Sequence, residues 1–270
     1  MKNFENKVVV ITGAGSGIGC ALAIEFNKLG AKLALNDFSE ATLLETVGML
    51  HNSESVYHQV FDVSNKADFY QFSDNVIAHY GRVDVVINNA GVAISKLTAI
   101  EVSIEDYEWI LGINLWGMMY GSLAFLPHLR KQKESSLVNL SSVFGIHGIP
   151  YQAAYCTTKF GIRGFTDSVA LEERMNETGV TVTSVHPGGI KTNIARNSRY
   201  AEKDAKGIEK LEESLITTPE RAAQIIINGI QRKKTRILVG SDAKILYFLN
   251  KLSSKFLAWY LLRFAKKLDV

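Results

Sequence analysis

The chain opens on a buried strand that runs directly into a glycine-rich loop and then a helix. Lys7–Thr12 is a run of valine and isoleucine without polar alternation, which is typical of a strand covered on both faces of a parallel sheet. TGAGSGIG follows at residues 12–19, and the pattern after it predicts a helix through about Leu29. This order constrains the fold more than any other feature, because βαβ units that bind dinucleotides begin in this way.

The glycine-rich loop is suited to a pyrophosphate. Its glycines allow a tight turn and let backbone amides approach the phosphates, while the helix that follows directs its positive end at them. The residues expected to contact a cofactor here are Gly13, Ser16, Gly17, Ile18 and Gly19. A flexible turn is the alternative interpretation of such a loop taken alone.

An acidic residue ends the second predicted strand. Asp37 lies eighteen residues beyond Gly19, where a carboxylate can accept hydrogen bonds from both ribose hydroxyls of an adenosine and would repel a 2′-phosphate. Ser16 and Phe38 occupy the positions where an Arg or Lys clamp for that phosphate is expected. The sequence therefore predicts NAD rather than NADP. A simpler role for Asp37, capping the helix that begins near Ser39, stays open.

Strands and helices alternate along the rest of the chain. Further strands are predicted at 56–61, 83–87, 136–140, 181–185 and 236–239. Helices are predicted at 40–51, 66–80, about 104–132 and 153–175, a charged helical piece at 202–213, and a further helix opened by Thr218-Pro219. The alternation predicts an α/β fold, a single doubly wound Rossmann-type parallel sheet of about seven strands with helices on both faces. Ligands bind such sheets at the carboxyl ends of the strands. The cofactor residues expected there are Asp62, Val63, Asn89, Ala90, Gly91, Pro187, Gly188, Ile190 and Thr192.

The reactive groups are concentrated between residues 137 and 164. Tyr155 and Lys159 stand at i and i+4 on a predicted helix, so their side chains project from one face. A phenol titrates near pH 10, and an ammonium one turn away is expected to lower that pKa towards neutrality. Ser142, thirteen residues before Tyr155, can donate a hydrogen bond to the oxygen on which the same proton acts. The Tyr-x-x-x-Lys spacing also occurs by chance in unrelated sequences, so a chance pair is the alternative interpretation of this spacing taken alone.

Together these motifs resemble the classical short-chain dehydrogenase/reductase family. The matching elements, in family order over about residues 4–240, are TGAGSGIG at 12–19, Asp37, Asp62-Val63, NNAG at 88–91, Asn114, Ser142, Tyr155-x-x-x-Lys159 and Pro187-Gly188. The resemblance implies hydride exchange between a nicotinamide and the carbon of an alcohol or ketone. It implies Tyr155 as the general acid or base, Lys159 as the residue that lowers its pKa and binds the nicotinamide ribose, and Ser142 as the group that polarises the substrate oxygen.

The resemblance gives further residues a role. Asn114 looks like the residue whose backbone carbonyl holds a water that links Lys159 to solvent; an asparagine satisfied within the core is the other interpretation. Ser141 is the rival of Ser142, but the family's Ser-x-x-Gly pattern fits Ser142. No metal is implied, since the six histidines do not cluster. The substrate pocket is expected to include Val143, His147, Gln152 and Gly189.

Two segments depart from a standard small member of that family. We predict residues 1–240 to form the dinucleotide-binding and catalytic domain, with residues 190–218 as a lid that folds and closes over the substrate. Residues 241–270 are a basic, amphipathic helical extension: residues 231–270 carry 10 basic and 2 acidic side chains, against 20 and 25 in residues 1–230. Such a helix can contact a membrane interface, pack against a second subunit or cover the substrate cleft, and for residues 243–268 all three stay open.

The favoured function is an NAD-dependent oxidoreductase of a secondary alcohol or ketone, with a hydrophobic substrate suggested by the tail. The alternatives are an NADP-dependent carbonyl reductase and a non-catalytic dinucleotide-binding module that acts through its basic tail. Bulky aliphatic residues between the tail cations disfavour nucleic-acid binding. The resemblance suggests a homodimer or homotetramer that associates through the helices around Asn114 and Tyr155.

The sequence predicts a cytoplasmic protein, with peripheral membrane contact as an open alternative. Cys20 and Cys156 both fall in predicted helices, which fits a reducing compartment without a disulfide framework. The amino terminus resembles no secretory signal. We also expect no run of the roughly 18 uncharged apolar residues that a membrane-spanning helix needs.

Overall fold

Seven strands pair in parallel to form one sheet. The structure, a computed structural model, describes residues 1, 3–52 and 56–267, with side chains up to Arg263 in the last helix. The strands are β1 (Val8–Thr12), β2 (Lys32–Asp37), β3 (Val56–Val60), β4 (Val85–Asn88), β5 (Ser135–Leu140), β6 (Val180–Pro187) and β7 (Arg236–Val239). Their order in the sheet is β3-β2-β1-β4-β5-β6-β7, and every neighbouring pair is parallel. The predicted doubly wound α/β sheet is confirmed.

Helices cover both faces of this sheet. They are α1 (Gly17–Lys28), α2 (Glu40–Gly48), α3 (Lys66–Tyr80), α4 (Ile104–Leu111), α5 (Met118–Leu129), α6 (Ala153–Met175), α7 (Ala205–Ser214), α8 (Pro219–Gln231), α9 (Ser241–Leu252) and α10 (Ser254–Lys267). Successive strand residues point to opposite faces of the sheet, so each face packs into its own hydrophobic core. Val9 and Ile11 pack under α1 and α8, whereas Val8 and Val10 pack under α3 and α5.

Several helix starts follow from the side chain that precedes them. Ser39, Asn65, Ser103 and Thr218 each accept a hydrogen bond from an amide in the first turn of α2, α3, α4 and α8, respectively. Pro219 occupies the first turn of α8, where its missing N–H costs nothing. The sequence prediction that Thr218-Pro219 opens a helix is confirmed.

The predicted ends of helices and strands agree closely with the observed ends where polar residues flank the element. The predicted bounds of α3, α6 and β7 match the structure at both ends. Elsewhere the ends move by one to three residues: α2 ends at Gly48 rather than His51, and β6 extends to Pro187 rather than Val185. Strand ends shift because backbone pairing in the sheet, rather than side-chain character, decides them.

The region predicted as one helix from Ile104 to Gln132 is interrupted. Its centre, Gly112–Gly117, forms a π-helical turn between α4 and α5, and the helix ends at Leu129. A π turn admits one extra residue into the helix, and the hydrophobic periodicity of the sequence does not reveal such an insertion. The turn places Asn114 opposite the loop after β4, where the candidate site lies.

The same region corrects the expectation about apolar runs. Within the described chain, Ile104–Leu129 is long and apolar enough to cross a membrane, and 44% of its most apolar window is buried inside the protein. The expectation that no such run exists was therefore wrong. Because α5 packs against α3 and strand β4, the composition is that of a core helix in an α/β fold.

The tail is two helices rather than the single helix predicted over Ala243–Leu268. Ser253 adopts an extended backbone, with φ −161° and ψ 108°, and separates α9 from α10. Helix α9 contacts β7 and the turn that follows β5, and α10 packs back on α9. Residues 268–270, which belong to the predicted extension, lie outside the described residues.

Candidate active site

The glycine-rich loop folds tightly at the carboxyl end of β1. Gly13 has φ +63°, and a Cβ added there would lie 2.8 Å from the Cα of Ala90, so a side chain would meet both strain and a clash. A Cβ at Gly19 would lie 2.0 Å from the carbonyl oxygen of Gly13. Within the described chain, the exposed Ser16 side chain caps no amide of α1, so these amides can receive a phosphate.

A set of hydrogen bonds ties this loop to β4. The Asn89 side-chain amide donates to the carbonyl oxygens of Thr12 (2.9 Å) and Gly13 (3.0 Å). The Thr12 hydroxyl accepts from the backbone amides of Asn89 and Ala90, each at 3.1 Å. The two neighbouring strand ends therefore form one rigid unit at the point where the strand order reverses, which is the ligand-binding crevice of doubly wound sheets.

Asp37 lies at the end of β2 with its carboxylate turned towards the loop. One oxygen accepts the amide of Gly15 at 2.8 Å, and the other accepts the amide of Ser39 at 3.0 Å. Ser39, not Asp37, accepts the first-turn amide of α2, so the simple capping role falls to Ser39. Phe38 is 78% exposed beside this carboxylate.

Two further predicted cofactor residues follow β3. Asp62 is exposed and accepts hydrogen bonds from the backbone and hydroxyl of Ser64. Val63 is buried against the π turn, where a Cβ added to Gly117 would lie 2.8 Å from its side chain. Asp62 is therefore exposed at the edge of the crevice. Val63 packs against the π turn that carries Asn114.

Ser142, Tyr155 and Lys159 come together where β5 ends and α6 begins. The Ser142 hydroxyl accepts the amide of Phe144 at 3.1 Å, which fixes the short 3-10 turn Val143–Gly145. The phenol of Tyr155 is hydrogen-bonded with Ser142. The ammonium of Lys159 donates to the Leu140 carbonyl oxygen at 3.1 Å and lies 5.3 Å from the centroid of the Tyr155 ring. The structure therefore assembles the three side chains that the sequence analysis selected.

The electrostatics of this cluster differ from the sequence expectation. Burial raises the pKa of Tyr155 to about 12, and the hydrogen bond with Ser142 opposes the shift without reversing it. Burial also lowers the pKa of Lys159 to about 8. The expectation of a Tyr155 pKa lowered towards neutrality is therefore wrong for the chain by itself, because loss of hydration raises that pKa. The contribution of Lys159 to the pKa of the phenol stays a prediction. At neutral pH both groups hold their protons.

Asn114 connects this cluster to β4 through its side chain. Its amide oxygen accepts the backbone N–H of Val92 at 2.8 Å, and its nitrogen donates to the Val92 carbonyl (2.9 Å) and the Thr158 hydroxyl (3.2 Å). The side chain is thus satisfied within the core, as the structural interpretation predicts. A Cβ added to Gly91 would lie 3.3 Å from this amide oxygen and 3.5 Å from Nζ of Lys159, so Gly91 leaves room for both.

The segment after β6 closes the crevice from the other side. A Cβ added to Gly188 would lie 2.1 Å from a carboxylate oxygen of Asp242, and the Gly189 amide donates to that oxygen at 2.7 Å. The buried Ile190 forms a bridge with Thr217. The methyl group of Thr192 lies 3.0 Å from the position that a Cβ of Gly17 would occupy, so Thr192 borders the glycine-rich loop. Its expected bond to a carboxamide stays a prediction.

Comparison with known proteins places this arrangement in a family. A family model described as short chain dehydrogenase matches residues 7–203. The chain belongs to the short-chain dehydrogenase/reductase family. A Mycobacterium tuberculosis protein that is named an oxidoreductase, SadH, is 39% identical over 256 residues, which are 93% of this chain and 92% of that protein.

Solved structures agree with this membership. A short-chain dehydrogenase/reductase from Burkholderia phymatum, crystallised in complex with NAD, superposes with a TM-score of 0.87 at 27% identity, covering 95% of this chain and 96% of that one. Levodione reductase superposes with a TM-score of 0.79 at 27% identity, covering 88% and 96% of the two chains. The chain is thus similar over almost its whole length to oxidoreductases of this family.

The tail of this short-chain dehydrogenase/reductase holds the loop after Ser142, which contains the predicted pocket residue His147. Nδ1 of His147 lies 3.0 Å from the amide oxygen of Asn250 in α9, and the Asn250 nitrogen donates to the Ile146 carbonyl at 3.4 Å. Val143 is buried, and Gln152 directly precedes α6. Asn250 could not be found from local sequence pattern, because its partner His147 lies 103 residues away.

Residues 190–218, the segment predicted as a lid, are fastened to α4 by Arg199, a residue that sequence reasoning also missed. Arg199 forms an ion pair with Asp106 at 2.5 Å, and its guanidinium lies 3.7 Å from the centre of the Trp109 ring. The Tyr200 hydroxyl donates to the second carboxylate oxygen at 2.8 Å. Burial alone would raise the pKa of Asp106, but these hydrogen bonds outweigh burial and lower it. The helical piece predicted at 202–213 is observed as α7, preceded by the 3-10 turn Ala201–Asp204.

Two core side chains position Ser142 and Lys159. The Ser141 hydroxyl donates to the Lys159 carbonyl oxygen at 2.8 Å, so this rival of Ser142 has a structural role. His186 is fully buried, with Nδ1 2.9 Å from the Ser142 carbonyl oxygen and Nε2 2.7 Å from the Ser184 hydroxyl. Burial lowers the pKa of His186 to about 4. The neutral ring therefore donates from Nδ1 to the Ser142 carbonyl and accepts at Nε2.

The described residues contain no metal centre of three or more ligands. Over residues 1, 3–52 and 56–267, no group of three or more His, Cys, Asp or Glu side chains is placed to hold an ion. Cys20 and Cys156 are both free thiols.

Replacing His186 should change how stability depends on pH. Its pKa is about 4 in the folded chain, whereas an unfolded histidine titrates near 6.5. Below pH 6.5 the unfolded state therefore binds more protons, and stability falls as the pH falls. Asparagine can still donate to the Ser142 carbonyl but does not titrate. Between pH 7 and 4.5, wild type should lose about 2 kcal/mol more unfolding free energy than His186→Asn.

Urea denaturation followed by circular dichroism at the two pH values measures this difference. His58→Asn, which removes an exposed imidazole, serves as the control. Equal losses in wild type and His186→Asn would contradict the buried, neutral state of His186.

Proposed function

We propose that the chain is an NAD-dependent oxidoreductase that exchanges a hydride between nicotinamide and a secondary alcohol or ketone with an apolar body. The observation that carries the proposal is the convergence of a hydroxyl, a phenol and an ammonium at one crevice. Ser142, Tyr155 and Lys159 meet at the carboxyl end of β5, on the same edge of the sheet as the glycine-rich loop. This edge is where doubly wound sheets bind dinucleotides.

The residues at the crevice fit NAD. The glycine-rich loop leaves space for a pyrophosphate against the amides of α1. Each carboxylate oxygen of Asp37 accepts one amide and keeps acceptor capacity for a ribose hydroxyl. This carboxylate would repel a 2′-phosphate, and Ser16 and Phe38 provide no cation to bind that phosphate. The Burkholderia phymatum relative, which is crystallised with NAD, supports the same preference.

Each side chain of the cluster has a separate task. In ketone reduction, the protonated phenol of Tyr155 donates its proton to the substrate oxygen, which Ser142 orients through a hydrogen bond. The ammonium of Lys159 stabilises the phenolate that remains. In alcohol oxidation Tyr155 accepts the proton instead. The nicotinamide supplies the hydride acceptor or donor and, when oxidised, a positive charge.

The other candidates are less consistent with these observations. The raised pKa of Tyr155 favours the proton donor that carbonyl reduction needs, so a reductase working with NADH is the nearest variant. An NADP-dependent reductase requires a cation that Asp37 and Phe38 do not provide. A non-catalytic module would not need the buried ammonium of Lys159, whose dehydration is costly.

Apolar walls support a hydrophobic substrate. Tyr155 packs against a cluster in which Ile94 and Ala154 are buried and Val92 is partly buried. The Tyr155 side chain therefore lies beside aliphatic groups, which bind hydrocarbon better than charged substrates.

Exposed aromatic residues on the helices around the site support a homo-oligomer. Trp116 is 49% exposed and stacks on Tyr120, and Phe160 on α6 is also exposed. Such surfaces are typical of subunit interfaces. The free thiols of Cys20 and Cys156 fit a reducing, cytoplasmic setting.

Tyr155→Phe should abolish turnover and keep the cofactor. The substitution removes only the hydroxyl, and the ring can keep its edge-on contact with Phe144. We expect kcat for a panel of long-chain secondary alcohols and ketones to fall by about 10²-fold or more. The affinity for NAD, measured by fluorescence titration, should stay within about twofold: Tyr155 is itself an expected cofactor contact, but the change removes one hydroxyl and leaves the glycine-rich loop, Asp37 and Lys159 in place. Tyr70→Phe, an exposed tyrosine on α3, is the matched control. Unchanged turnover would reject the assigned chemistry.

Asp37 should set the cofactor preference. Wild type should prefer NAD over NADP by about tenfold or more in kcat/KM, because the carboxylate repels the 2′-phosphate. Asp37→Asn combined with Phe38→Arg should shift that ratio towards NADP by at least about tenfold. Asp74→Asn, which removes an exposed carboxylate on α3, should leave the ratio unchanged. A wild-type preference for NADP would contradict the assignment.

A further inference from the structure

The first tail helix presents an apolar stripe to solvent. Ile245, Phe248 and Leu252 recur at i, i+3 and i+7 on α9, which places them on one side, and each is more than half exposed. The opposite side is anchored, because Ala243 is fully buried and Asn250 bonds to the loop after Ser142. The stripe is therefore held outward by a helix that the fold fixes in place.

The second tail helix also exposes apolar side chains. Phe256 and Trp259 are about half exposed and stack with ring centroids 5.8 Å apart, and the guanidinium of Arg263 lies 5.4 Å from the Trp259 ring. Leu257 is fully buried and anchors α10, while Leu262 is exposed. We use the name tail face for the exposed apolar set Ile245, Phe248, Leu252, Phe256, Trp259 and Leu262.

The charged residues that accompany the tail face are all basic. Residues 243–267 contain six Lys or Arg and no Asp or Glu. Lys244, Lys251, Lys255 and Arg263 are all exposed. Residues 1–230, with 20 basic and 25 acidic side chains, have the opposite net charge. An anionic surface would therefore attract the tail and repel the body, which orients the molecule.

We propose that the tail face docks the protein on an anionic membrane. Leucine and phenylalanine side chains can enter the acyl boundary, tryptophan prefers the interface, and lysines bind the lipid phosphates. A second copy fits less well, because joining two tail faces would bring together two clusters of like charge. Nucleic acid fits less well, because the cations are interleaved with exposed aliphatic groups.

The position of α9 links this surface to the candidate active site. At its start Asp242 accepts the amide of Gly189, and near its end Asn250 bonds to His147. The helix thus spans from the loop after β6 to the loop after β5, the two loops that flank Tyr155. Ile216 in the lid is 84% exposed and adds apolar surface to that side. This step rests on the proposed function: an apolar alcohol or ketone enters the crevice from the bilayer.

Flotation of the full chain with vesicles tests the docking without any assay of activity. Wild type should float with phosphatidylcholine vesicles that contain phosphatidylglycerol, and should bind neutral phosphatidylcholine vesicles at least about tenfold more weakly. Phe248→Glu with Trp259→Glu, and separately Lys244→Gln with Lys251→Gln and Lys255→Gln, should each reduce flotation by about tenfold or more. All five side chains are exposed, so the fold should tolerate these changes. Met175→Glu, an exposed apolar residue at the end of α6, is the matched control.

The outcomes separate docking from catalysis. Equal flotation of wild type and Phe248→Glu/Trp259→Glu would overturn the proposal, as would absence of flotation with anionic vesicles. Light scattering provides a further test. If wild type is a dimer, this variant is a monomer, and neither form floats, the tail face would be assigned to contact with a second copy. Both tail variants should keep turnover of a water-soluble secondary alcohol and lose turnover of a long-chain alcohol presented in vesicles. Flotation without turnover of any alcohol would support docking and reject the proposed reaction.

Discussion

A lysine ammonium buried beside a tyrosine phenol is the constraint on which the rest of the site depends. Dehydration lowers the pKa of Lys159 to about 8 and raises that of Tyr155 to about 12, so both groups stay protonated at neutral pH. Keeping this lysine charged costs the fold about 3 kcal/mol at neutral pH, and stability should rise as the pH rises from about 8 to 10.5. The Leu140 carbonyl and the Tyr155 ring offset part of that cost. A cluster that is unfavourable for folding is typical of a functional site.

Several elements hold this pair in place, and each contributes one contact. Strand β5 supplies the Leu140 carbonyl, α6 carries both reactive side chains, and the π turn brings Asn114 against Gly91 and Thr158. His186 reaches across from β6 to the Ser142 carbonyl. Strands and helices supply most of these contacts, so the geometry is set before a ligand arrives. The tail helix α9 also binds the loops after β5 and β6.

The sequence predicted the parts of this protein that depend on local pattern. The glycine-rich loop after a buried strand, the i and i+4 spacing of Tyr155 and Lys159, and the bounds of α6 all rest on residues near one another in the chain. What it did not predict depends on distant partners or on burial. The Arg199–Asp106 ion pair and the contact between His147 and Asn250 join residues about a hundred positions apart. The direction of the Tyr155 pKa shift depends on burial, which spacing does not reveal, and the break at Ser253 interrupts an unbroken apolar pattern.

The titration of the Tyr155 phenol tests the central claim most directly. Carbon-13 labelling of the tyrosine rings, with Tyr155→Phe to assign the signal, follows the ionisation of this phenol by NMR. Its pKa should lie near 12 in the chain alone and fall by about two units or more when NAD⁺ binds, because the oxidised nicotinamide then places a positive charge near the phenolate. A phenol that titrates near 10 in the free chain, or one that NAD⁺ leaves unchanged, would contradict the account.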